Sequence, residues 1–85
     1  MDKAQRGREA QAILTSPLVQ EAFAQVEAAC IDAWKRSDPG DTGTREDAHK
    51  LLRASALFRR FFETCVSTGR LAEADEETRR KHKGP

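Results

Sequence analysis

Tyrosine is absent from this 85-residue chain, and tryptophan occurs once, cysteine twice, proline three times and glycine five times. Two cysteines cannot build the stapled framework of a small secreted domain, and so little glycine and proline excludes a collagen-like or low-complexity chain. No apolar run approaches the ~20 residues of a membrane-spanning helix. The first residues, with Asp2, Lys3, Arg6 and Arg8, lack the apolar centre of a secretory signal, so a cytoplasm is the expected location. Net charge is nearly lacking as well. Fifteen basic against 14 acidic residues leave +1, which provides no global field to draw in nucleic acid or an anionic membrane. Large apolar side chains are also few. Thirteen alanines and two cysteines account for much of the 38% hydrophobic content, leaving 17 of Met, Ile, Leu, Val, Phe and Trp. A single small domain with a thin core is expected.

The residues present in quantity are Ala, Glu, Arg, Lys, Gln and Leu, which favour helix over strand. Three breaks divide the row: Ser16-Pro17, the stretch from Ser37 to Thr44, and Gly69. Ala10, Ile13 and Leu14 cluster on one side of a short helix over 2–14. Pro17 disfavours helix at Ser16 but suits the first position of a new helix, with Ser16 as its cap, so a second helix is predicted over 17–36. There Val19, Phe23, Val26, Cys30 and Ala33 repeat at 4-3-4-3 spacing and form the inward stripe. Ile31 lies off that stripe, beyond Trp34.

The Pro-, Gly-, Asp- and Thr-rich connection reads as a helix-to-helix loop. Thr44, with Glu46 and Asp47 behind it, resembles a capping box and starts a third helix predicted over 45–68, with Gly69 as its left-handed stop. Its stripe runs through Ala48, Leu51, Ser55, Phe58, Phe62, Cys65 and Val66, with Leu52, Ala54 and Phe61 at the margins. Residues 71–83 form a charged tail or frayed helix in which Asp75/Arg79, Glu76/Arg80 and Glu77/Lys81 stand at i, i+4. The fold expected is all-α: an antiparallel helical hairpin with a short N-terminal helix and a charged C-terminal tail.

Two helices seldom hide an apolar arc as broad as that of the third helix, where Leu57, Phe58, Phe61 and Phe62 fall within six positions. Burying each contributes about 1.5–3 kcal/mol, against a margin of only a few kcal/mol for a domain this small. A partner is therefore expected on a surface of Ile31, Trp34, Leu57, Phe58, Phe61 and Phe62, the partner being a second copy or another protein. The contrary arrangement is a closed three-helix monomer in which Ile13 and Leu14 cover the hairpin.

Chemistry-bearing patterns are sparse. A hairpin turning near Pro39-Gly40 separates Cys30 from Cys65 by about 20 Å along the axis, too far for a disulfide, and both lie on apolar stripes as small buried hydrophobes. His49 and His82 lack metal-ligand spacing with Cys, Asp or Glu. The acidic residues are explained by capping and by ion pairs, and there is neither a triad nor a glycine-rich phosphate loop. No catalysis, metal or cofactor is expected. The rival to protein docking is nucleic-acid contact through Lys50, Arg53 and Arg60, flanked by His49 and Arg59, together with Arg79, Arg80 and Lys81 in a tail that continues to His82 and Lys83. Glu63 and Glu73 to Glu77 offset that footprint, and no helix-turn-helix spacing accompanies it.

As a whole the row resembles the small helical proteins of head and DNA-packaging modules in tailed bacteriophages. The likeness is diffuse and covers most of the chain. It rests on Arg6-Gly7-Arg8-Glu9-Ala10 with Ile13-Leu14 and Pro17, then Glu21-Ala22-Phe23, Ala33-Trp34, Arg45-Glu46 and Thr68-Gly69-Arg70-Leu71-Ala72. It implies a virion or assembly accessory, multiplied by capsid or connector symmetry and seated on itself or on a larger phage structural protein. Alternatively it implies a minimal packaging factor like a small terminase subunit. A small inhibitor docking on a host enzyme would present the same apolar stripe.

Overall fold

The computed structural model describes residues 1–82, all of whose regular structure is helical. The protein is all-α, with α1 over Lys3–Thr15, α2 over Pro17–Arg36 and α3 over Thr42–His82. Capping residues set the starts. The Asp2 carboxylate accepts the Gln5 N–H at 2.7 Å to open α1, and the Ser16 hydroxyl accepts the Val19 N–H at 3.5 Å to open α2. Ser16 itself is extended at φ −64° and ψ 123°, so α1 and α2 are two segments broken at Ser16-Pro17.

Both segments pack on α3, running antiparallel to it. α2 lies along the N-terminal part, with Arg45 Nε donating to Ser37 Oγ at 3.2 Å and the Phe23 and Phe58 rings 6.1 Å apart. α1 lies along the C-terminal part, with an Arg8–Glu73 ion pair at 2.8 Å. The result is a hairpin measuring 72 × 23 × 17 Å, about two helices wide and little more than one thick.

Two expected boundaries on α3 are corrected. The helix starts at Thr42, not Arg45, because Asp41 rather than Thr44 caps it: the Asp41 carboxylate accepts the Thr44 N–H at 3.1 Å and the Thr44 hydroxyl at 2.6 Å. It also runs straight through Gly69, which has no positive φ and is no stop. Gly69 instead lets two backbones meet. A Cβ there would stand 2.8 Å from Gly7 Cα and 2.9 Å from the Lys3 carbonyl oxygen. The residues expected to form a tail or frayed end are thus helical through His82, whereas Lys83 lies outside the described residues. Of its three expected ion pairs, Glu77–Lys81 closes at 3.7 Å; the other two do not form among the described residues.

α1 docks through Ala4, Gly7 and Ala10, all buried, rather than through Ile13 and Leu14. Small residues three apart bring α1 close to Val66 and Gly69, so this contact is tight but carries little apolar volume. Between α2 and α3 only Cys30 and Ala48 are buried, and no described side chain is completely enclosed. Both cysteines are free thiols, Cys30 buried and Cys65 half-buried.

Candidate interaction surface

A hairpin one helix thick has two broad faces, and here they differ. One is closed by charge. Arg59 Nη2 bonds Glu27 Oε1 at 3.1 Å across the seam, while the Arg59 guanidinium sits 4.6 Å from the centroid of the Phe23 ring. Phe23 is thereby capped on that side.

The other face is open. Between α2 and α3 runs a groove of about 610 Å³ whose walls are Val19, Phe23 and Val26 on one side and Leu51, Phe58 and Phe62 on the other, with Ala22 and Ala54 on its shoulders and Ile13 at its end. Ser55 contributes the lining's one polar side chain. These positions follow from the stripes on the two helices. At about 100° per residue, α2 turns Cys30 and Phe23 toward α3, and the next positions around the helix, Val19, Val26 and Ala22, come up on a single side. α3 does the same with Leu51, Ala54 and Phe58. A third layer would cover both arcs; without one they lie in solvent. Phe58 is 61% exposed and Leu51 59%.

The aromatic rings form a chain across this face. Phe58 meets Phe62 edge-on at 5.2 Å and Phe62 meets Phe61 edge-on at 5.5 Å, extending the Phe23–Phe58 contact. Of the expected surface, Phe58, Phe61 and Phe62 therefore come together. Leu57 lies outside the groove, beside Arg53, Arg60 and Glu63. Ile31 stands on the outer side of α2 with Ala28, Asp32 and Lys35, and Trp34, though 55% exposed, does not line the groove. Val19, Val26 and Leu51 belong to the open face instead, although their spacing alone marks them as core, and Ala54, expected at the margin of its stripe, joins them there.

The basic residues do not form one face. Lys50 and Arg80 are about 45 Å apart along α3 at 1.5 Å per residue. Arg53 and Arg60 line a shallow recess together with Glu27 and Glu63. Arg79, Arg80 and Lys81 are consecutive and so point in three directions around the helix. Among the described residues no group of three or more His, Cys, Asp or Glu is placed to hold a metal ion, and no helix is long and apolar enough to cross a membrane. One carboxyl titrates away from its usual range. Asp41 is held below 3.8, chiefly by the Thr44 hydroxyl and then by the Thr44 N–H, which together outweigh the opposing desolvation; the charge of Arg45 adds a lesser lowering. That is the signature of a helix cap. No family model, curated protein or solved structure matches the chain.

Proposed function

We propose that the protein is a non-enzymatic assembly or adaptor component that works by docking its apolar groove face, on itself or on a larger structural protein. The observation behind this reading is the unshielded surface. A compact monomer of this mass exposes roughly 5,050 Å², whereas the chain exposes 6861 Å². An exposed apolar patch rimmed by polar residues marks an interaction site, and clustered aromatic side chains are the usual energetic anchors of one. The likeness to phage head and packaging modules gives such a face a setting: a small part made in the bacterial cytoplasm and repeated within a virion or its assembly machinery.

Light scattering on the full chain across a concentration series, together with Phe58→Glu, tests the reading. Phe58 is solvent-facing, so the substitution should leave helicity by circular dichroism intact while abolishing concentration-dependent assembly or partner capture. Leu71→Glu, at a 68% exposed position remote from the groove, should change neither. Native mass behaviour and partner capture that survive Phe58→Glu would refute the reading.

A further inference from the structure

Resting on that reading, we infer that the groove is covered by a second copy of this chain, related by a two-fold axis parallel to the hairpin's long axis. Each α2 then lies antiparallel on the other copy's α3, making a four-helix bundle with the two apolar faces inside.

Area is the first argument. The α2 half of the hairpin is 20 residues long, about 30 Å at 1.5 Å per residue, and 23 Å wide. That is roughly 700 Å² in projection, so two such faces bury at least about 1,400 Å², within the range of stable protein–protein interfaces. A flat face of Val, Leu, Phe and Ala between antiparallel helices is also the surface that bundle packing requires, with side chains of one layer entering the gaps of the other.

Charge along the edges selects the axis. Within one chain Ser37 meets Arg45 and Phe23 meets Phe58, so the helices pass each other residue for residue. Asp32 comes level with Lys50, and Arg36 with Glu46. All four are exposed, and each lies on the edge of its helix that faces away from the other helix. Rotation about an axis parallel to the hairpin preserves height. It therefore sets Asp32 beside Lys50 of the second copy, and Arg36 beside Glu46 of the second copy, twice per dimer. The other way of stacking the faces, about an axis across the hairpin, lays α2 on α2 and α3 on α3, so that Asp32 and Lys50 of the second copy, and Arg36 and Glu46 of the second copy, fall on opposite edges and do not meet. That arrangement leaves these four charges without cross-copy partners. The near-zero net charge leaves no overall repulsion between copies.

A charge-swap cycle on the full chain, read as the dimer dissociation constant by sedimentation at low salt, tests the inference. Asp32→Lys and Lys50→Asp alone should each raise the constant about 10-fold, since two exposed pairs per dimer are lost and reversed. The double variant should return to within about 3-fold of native, because opposite charges face each other again, while the Asp32–Arg36 contact at 3.2 Å lies within α2 and is lost from monomer and dimer alike. A dimer whose swaps do not couple overturns the parallel two-fold while leaving groove docking in place. A chain that stays monomeric to millimolar concentration overturns the second copy. In that case, fluorescence of an apolar dye that Phe58→Glu abolishes keeps the docking reading, and a monomer that binds no dye removes both.

Discussion

Replacing Gly69 with alanine is the sharpest probe of how this hairpin is built. In an exposed helix interior glycine-to-alanine stabilises by about 1 kcal/mol, through lower chain entropy in the unfolded state and better helix propensity. Here the new methyl carbon would stand 2.8 Å from Gly7 Cα, 2.9 Å from the Lys3 carbonyl oxygen and 3.3 Å from Gly7 N, all backbone atoms. Carbon atoms pack best at about 3.5–4.0 Å, so α1 must move away by roughly 0.7 Å or more. Strain of this kind is worth about 1–3 kcal/mol, which meets or exceeds the propensity gain. Gly7→Ala should behave alike, since its Cβ would lie 2.9 Å from Gly69 Cα and 3.0 Å from the Cys65 carbonyl oxygen. Gly43→Ala is the control, because its nearest neighbour is Asp41 Oδ1 at 3.8 Å. Gly69→Leu enlarges the effect without loss of helix propensity. It should release α1, which at 13 residues is too short to stay helical alone. The three helices hold 13, 20 and 41 residues, so about a sixth of the ellipticity at 222 nm would go with it. Melting followed by circular dichroism at fixed protein concentration measures both effects, about 4–8 °C per kcal/mol for a chain this size. If Gly7→Ala and Gly69→Ala both raise the midpoint as much as Gly43→Ala or more, the close backbone contact is wrong.

Two further outcomes follow from the same geometry. Ending the chain after Thr68 should unfold α1 and lower the fractional helicity of what remains, because Gly69, Arg70 and Glu73 form part of the surface on which α1 rests; a truncated protein that keeps α1 folded would show that α1 does not depend on that surface. Asp41 should make α3 sensitive to acid. Its carboxyl is held below 3.8 in the folded state, so the cap's contribution is complete above that value and is lost as pH falls through the lowered one. Asp41→Ala should flatten this part of an acid titration below about pH 4 followed by circular dichroism, and a variant that titrates like the native chain would remove the cap from the account.

Local chemistry made much of this fold legible from the row of residues. The break at Ser16-Pro17, the span of α2 and the stripes on α2 and α3 all depend on neighbours within one or two turns, where capping and helical periodicity act. Asp41 was within reach of the same logic, since an aspartate three residues before Thr44 is as good a cap as the threonine itself. The face that Phe58, Phe61 and Phe62 share was also visible in their spacing. Gly69 was not. A glycine that ends a helix and a glycine that admits another backbone are identical in sequence, and only the position of Gly7, 62 residues away, separates them, as with the similarly distant partners of the Arg6–Cys65 and Arg8–Glu73 contacts. The same limit explains why Val19, Val26 and Leu51 read as core. Periodicity reports that a side chain is apolar and which way it points from its own helix, but whether a third layer lies beyond it depends on long-range packing. α1 continues the hairpin lengthwise instead of folding over it, because its contact side is alanine and glycine and fits closely against Val66 and Gly69, and that placement leaves the groove uncovered.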